Sequence, residues 1–102
     1  MAQIYSGANR SLLTIHAMIY GRVQGVSYRY WTQAEARKRS LLGWVRNRSD
    51  GSVEAVFSGS NEDVAAMLKA CWSGPMLASV RDIETSDYTD PVPEFFDILP
   101  TP

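Results

Sequence analysis

From Leu12 to Tyr20 the chain places Leu13, Ile15, Ala17 and Ile19 on one face of an extended segment. The opposite face carries Leu12, Thr14, His16, Met18 and Tyr20. That face is too apolar to be fully solvated, so something is expected to cover part of it. Between Ser27 and Arg39, Tyr28, Trp31, Ala34 and Ala36 recur among charged residues with no glycine or proline, which predicts a helix. "GWVRN" predicts a short strand. "RSDG" comes next, and Asp-Gly is a strong hairpin-turn signal. The return strand is "SVEAVFSG", with Val53, Ala55 and Phe57 alternating against Glu54 and Val56. "SNED" opens a second helix: Ser60 or Asn61 can cap it, and Glu62 and Asp63 suit the positive end of its dipole. Val64, Met67, Leu68 and Cys71 form the apolar face of that helix, and "SGP" at Ser73 to Pro75 ends it. "ASVRDIETSDY" predicts a weaker strand, "TDPVPE" a loop, and "FFDIL" a short last strand.

The order of these elements is β-α-β-β-α-β with an extra strand at the end. It predicts an α+β, ferredoxin-like sandwich: an antiparallel sheet with two helices on one face and a short extra C-terminal strand. The other sheet face is then left partly open. Residues 12–102 are expected to form one domain, preceded by a mobile lead over residues 1–11. Such an architecture hosts many unrelated activities, so function has to come from particular side chains.

Composition narrows the field. The chain has 102 residues, 45% of them hydrophobic and 21% charged, with a net charge of −1. A domain that grips nucleic acid by its phosphates carries a clear positive excess, so nucleic acid is not an expected partner. No apolar run approaches the roughly 20 residues that span a bilayer. "MAQIYSGANR" has no signal-peptide core, so the expected location is cytoplasmic, with no membrane association. His16 is the only histidine and Cys71 the only cysteine, which argues against a zinc site and against Ser-His-Asp or Cys-His chemistry. Asp50 belongs to a turn, and Glu62 and Asp63 to a helix end, so no carboxylate pair remains for glycoside or two-metal chemistry. No Gly-Lys-Ser/Thr succeeds the first glycines, so the nucleotide P-loop is absent. Trp31, Trp44 and Trp72 fall at positions suited to core or subunit packing.

What remains is arginine, asparagine and backbone amides. "GRVQGVSYR" joins the first strand to the first helix. Gly25 permits a positive φ or a close approach of the backbone to a ligand. A tight loop before a helix aims successive N–H groups into one concavity, and the helix adds its own unpaired N–H groups and partial positive charge. Arg29 falls in the first turn of that helix, where side chains lean back toward the helix start. Its guanidinium matches a phosphate bidentately. The loop therefore suits a phosphate-sized dianion. Asn47 sits just before the hairpin turn, where a fixed carboxamide can orient a water beside a bound anion.

"GRVQGVSYR" together with the later "GWVRNRSDGSVEAVFSG" resembles the acylphosphatase family. The usual family pattern is G-R-V-Q-G-V-x-F/Y-R, then A-x-x-x-G-L-x-G-W-V-R-N, then D-G-x-V-E-A/V. The matching positions here run from Gly21 to Arg29, then through Ala36 and from Ser40 to Asn47, then from Asp50 to Glu54. Ser40 departs from the pattern, which has glycine there because a helix often ends in a left-handed residue.

The resemblance implies hydrolysis of acyl phosphates to carboxylate and inorganic phosphate, with phosphate as product and inhibitor and with no metal or cofactor. It implies Arg29 and Asn47 as catalytic residues. It also implies that the phosphate is held by the backbone amides of Gln24, Gly25, Val26, Ser27, Tyr28 and Arg29. A stand-alone monomeric hydrolase is expected. The alternatives are an acylphosphatase-like domain for carbamoyl phosphate and a non-catalytic ferredoxin-like binding module.

Overall fold

A computed structural model describes residues 12–102; the lead expected over residues 1–11 lies outside them. Among the described residues five strands and two helices succeed one another: β1 (Leu12–Arg22), α1 (Tyr28–Lys38), β2 (Leu42–Asn47), β3 (Val53–Ser60), α2 (Asn61–Ser73), β4 (Ser79–Asp87) and β5 (Phe96–Ile98). The sheet order is β4-β1-β3-β2-β5. The first four strands pair antiparallel, as the element order requires. The short last strand adds parallel to β2, so the sheet as a whole is mixed. After β4, at one edge, the chain has to cross the whole sheet to reach the other, and it arrives running the same way as β2.

The alternation read in β1 is the one observed. Leu13, Ile15, Ala17 and Ile19 join the core with Val45, Val53, Ala55 and Phe57, and both helices lie over this face. Val64, Met67 and Cys71 form the buried face of α2, with Leu68 packed beside them. Ser60 caps that helix, its hydroxyl accepting from the Asp63 amide at 3.1 Å. In α1 the buried face is Tyr28, Thr32 and Ala36, whereas Ala34 is exposed. Thr32 tolerates full burial because its hydroxyl donates to the Tyr28 carbonyl at 2.8 Å, one turn back. Trp31 packs on Tyr28 and Trp44 is buried, but Trp72 is 49% exposed and takes no part in the core.

The second sheet face is partly roofed. The Tyr88 ring lies 6.2 Å from His16 and 6.3 Å from Trp44. These two residues flank Val56 in register, and Val56 is fully buried. The segment leaving β4 therefore supplies the cover that the apolar outer face of β1 calls for.

Helix α1 ends as the departure from the family pattern implies. Ser40 is left-handed, with φ 57°, and the Leu41 amide donates to the Ala36 carbonyl at 2.9 Å while the Ser40 amide donates to Arg37 at 3.0 Å. This is a Schellman motif with serine where glycine fits best. The left-handed penalty of about 1–2 kcal/mol for a side chain exceeds the cost of glycine's freedom in the unfolded chain, about 0.4–1 kcal/mol. Ser40→Gly is expected to stabilise the fold by about 0.5–1 kcal/mol and raise Tm by a few degrees. Thermal unfolding checks this, and an unchanged or lower Tm contradicts it.

Candidate active site

The junction between β1 and α1 holds the sequence's candidate chemistry. Strand β1 runs past Tyr20 to Arg22 through a register shift between Tyr20 and Gly21. Such a bulge bends the strand and re-aims the residues beyond it. Gly25 then has φ 73°, and nothing lies within 4 Å of where its Cβ would be. Its glycine is required by the backbone conformation and not by crowding from the protein. Ser27, the N-cap of α1, is also left-handed, with φ 65°, and makes no side-chain cap. Two left-handed residues on either side of Val26 wind the chain tightly into the helix, the kind of path that gathers N–H groups into an anion-sized nest. A non-glycine residue held there is strained by on the order of 1 kcal/mol, and strain of this kind clusters at ligand sites.

The loop is anchored from below. Tyr28 is buried, and its hydroxyl donates to the Cys71 carbonyl at 2.5 Å, tying the first turn of α1 to α2. Burial pushes the Tyr28 phenol far above its ordinary range, so it stays a neutral donor. The Cys71 thiol is likewise pushed up by burial, to about 12, and is chemically quiet at neutral pH.

A hollow of about 220 Å³ opens over the junction, lined by Val23, Gln24, Gly25, Ser27, Tyr28, Arg29, Tyr30 and Asn47. Of the residues singled out from the sequence, Gln24, Gly25, Ser27, Tyr28, Arg29 and Asn47 thus meet at one place. Val26 does not line it; its side chain is in the core. Among the described residues, Arg29 is the only charged one in the lining, and no carboxylate joins it. Among the described residues Arg29 has no ion-pair partner, and its guanidinium lies 6.0 Å from the Tyr30 ring. A half-buried, uncompensated cation beside a helix N-terminus favours an anion.

Asn47 ends β2, opposite Val53. Its neighbours Arg46 and Arg48 are not loose surface charges. Arg46 Nε donates to Glu54 Oε1 at 2.8 Å, and an Arg48 terminal nitrogen donates to the same oxygen at 3.0 Å. The other oxygen, Glu54 Oε2, lies 2.6 Å from His16 Nε2. Burial pushes the Glu54 carboxyl up, but the hydrogen bonds from His16, Arg46 and Arg48 outweigh it and hold the group below its ordinary value. Side chains alternate along a strand, so this cluster occupies the face opposite the one Asn47 presents. Beyond Asn47 the hairpin closes as its Asp-Gly implies. The Ser52 amide and hydroxyl both donate to Asp50 Oδ1, at 2.9 and 2.6 Å, and Gly51 has φ 92°.

The sequence did not single out Tyr30, Val23, the left-handed Ser27 or the Glu54 cluster. Tyr30 is 66% exposed and sits on the solvent side of an amphipathic helix, where the hydrophobic pattern gives it no role. Among the described residues no three His, Cys, Asp or Glu side chains gather as metal ligands, and no helix is long and apolar enough to cross a membrane.

Comparison with known proteins adds independent findings. A model of the Acylphosphatase family matches residues 15–98. An acylphosphatase of Nitrobacter winogradskyi is 63% identical over 67 residues, covering 66% of this chain and 68% of the relative. One from Azorhizobium caulinodans is 61% identical over 71 residues, covering 70% of this chain and 76% of the relative. Among solved structures, the acylphosphatase of Bacillus subtilis superposes with a TM-score of 0.81 at 36% identity, covering 87% of this chain and 99% of the other.

Proposed function

The chain belongs to the acylphosphatase family, and from that membership we propose how it works as an acylphosphatase. Arg29 and the amides of Gln24 to Arg29 hold the phosphoryl group, and Asn47 places the attacking water. The observation that carries this reading is the hollow itself. Among the described residues its lining holds one cation, no carboxylate and the Asn47 carboxamide, next to a helix N-terminus.

Chemistry of this kind needs little more. The substrate is a carboxyl-phosphate mixed anhydride. Water attacks phosphorus, and the bond from phosphorus to the acyl oxygen breaks, its electron pair leaving with the carboxylate. The water's proton goes to a phosphoryl oxygen, so one acyl phosphate dianion and one water give a carboxylate and dihydrogen phosphate. A carboxylate is a good leaving group and requires no general acid. Phosphoryl transfer is driven by positioning and charge stabilisation. Arg29 supplies two parallel donors and a positive charge. The loop amides supply further donors at no reorganisation cost. Asn47 is neutral, so it can hold a water beside the dianion without repelling it. No metal or cofactor has a part in these steps.

The direct test is hydrolysis of benzoyl phosphate by the wild-type protein, with inorganic phosphate as competitive inhibitor. Absence of turnover above the spontaneous rate would falsify the enzymatic reading.

The lining also bears on the acyl group. Tyr30 presents an exposed ring at the rim, beside the guanidinium that takes the phosphate. An aromatic acyl group leaving the cradle on that side would stack on it, a contact worth roughly 0.5–1.5 kcal/mol. Tyr30→Ala is expected to raise KM for benzoyl phosphate about three- to tenfold while leaving KM for acetyl phosphate within about twofold. Equal changes for the two substrates would place the acyl group elsewhere.

A further inference from the structure

We propose that the side chain of Gln24 is a strut that sets the distance between the phosphate cradle and Asn47; this rests on the reading of the hollow given above. The cradle comes directly after β1, and Asn47 ends β2, but these strands are not neighbours. Strand β3 lies between them. Two strand spacings, roughly 10 Å, therefore separate the two halves of the site, and no β-ladder joins them directly.

Gln24 crosses that gap. Its Nε2 donates to the Arg48 carbonyl at 2.8 Å and to the Ser52 carbonyl at 2.8 Å. A carboxamide has two N–H donors, and both are used here. The two carbonyls are the ends of the hairpin turn: the Arg48 amide donates to Ser52 at 2.9 Å, and the Gly51 amide donates to Arg48 at 3.2 Å. The strut thus lands on a closed, rigid unit, one residue beyond Asn47. From the opposite sheet face Glu54 grips Arg46 and Arg48, the residues on either side of Asn47. Asn47 is held between the strut and that clamp.

The same geometry rules out a substrate-binding role for this side chain. With both hydrogens engaged, the carboxamide has only its oxygen left, an acceptor that would repel a phosphoryl oxygen. Gln24 is a positioning residue that acts through the spacing of Asn47 to the cradle. In a reaction that depends on an in-line water, a displacement of about 1 Å can cost about 10²-fold.

The test uses Gln24→Met, which keeps length and loses both donors, and Gln24→Glu, which keeps shape and turns an acceptor toward the two carbonyls. With benzoyl phosphate, kcat is expected to fall about 10- to 100-fold, while the inhibition constant of inorganic phosphate moves less than about threefold. A side chain that merely shaped the cradle would move both constants together, and one without a role would move neither; either result overturns the strut. If both variants fail to fold, the side chain is a folding element and the proposal also falls. A wild-type protein without activity sinks the proposed function itself. An active wild type, a slow Asn47→Ala and unaffected Gln24 variants sink only the strut.

Discussion

Arg29→Ala is expected to lower kcat/KM for benzoyl phosphate by at least about 10²–10³-fold, the usual effect of removing one preorganised donor to a developing anion. The loss should exceed that range, because among the described residues Arg29 is also the only charged one lining the hollow. On the proposed mechanism it both binds the dianion and stabilises it as charge shifts to the leaving carboxylate. The inhibition constant of inorganic phosphate should rise with the loss of activity, since on the same mechanism the ground-state anion uses that guanidinium. Arg29→Lys separates two components. It keeps the charge but not the planar pair of donors, so a variant that stays nearly inactive assigns the effect to bidentate geometry and not to the field alone. Folding is a weak confounder. Among the described residues Arg29 makes no salt bridge, and its aromatic contact is with exposed Tyr30. Both variants should unfold within a few degrees of wild type. Full activity in Arg29→Ala would remove the anchor of the mechanism.

What could be read from the sequence about this site was local. The loop glycine, the helix start and the first-turn arginine sit close together in the chain, and each obeys backbone rules that need no knowledge of distant strands. The same holds for the Asp-Gly hairpin, for the Ser60 cap, and for Ser40, whose left-handed conformation comes with the Schellman geometry. Periodicity revealed the core faces of β1 and α2 because apolar side chains there do nothing but pack.

Features that depend on register or on long-range return were not legible. Glu54 falls on the solvent side of a simple alternation, yet it is only 8% exposed. Its burial is compensated by donors from β1, from β2 and from the hairpin, and their convergence depends on the pairings of His16 with Val56 and of Arg46 with Glu54. Thr32 is polar and so lies outside any apolar pattern, although a hydroxyl bonded to its own helix packs like a small apolar group. The parallel docking of β5 rests on Phe96, whose ring stacks on Phe57 at 5.5 Å, a contact between segments far apart in the chain. The reach of Gln24 to Arg48 and Ser52 is of the same kind. In each case the residue type was visible and its partner was not.

Asn47→Ala is expected to separate catalysis from binding. If the carboxamide touches only the attacking water, its removal lowers kcat by about 10²-fold or more and leaves the inhibition constant of phosphate within about twofold of wild type. The prediction differs in kind from that for Arg29, where both constants move. Asn47 is also well placed for a clean substitution. It is the last residue of β2, half-buried in the lining of the hollow, and the strand end is held by Arg46 and Arg48 on Glu54 and by the hairpin hydrogen bonds. None of these contacts involves the Asn47 side chain. The alanine variant should therefore keep its fold, so that a kinetic loss reports the missing carboxamide. Asn47→Asp sharpens the test: it preserves shape but brings a negative charge to a site proposed to hold a dianion, so phosphate inhibition should weaken along with kcat. An Asn47→Ala variant that turns over at the wild-type rate would mean that water reaches phosphorus without this side chain. A parallel loss of phosphate affinity would instead make Asn47 a ligand of the anion.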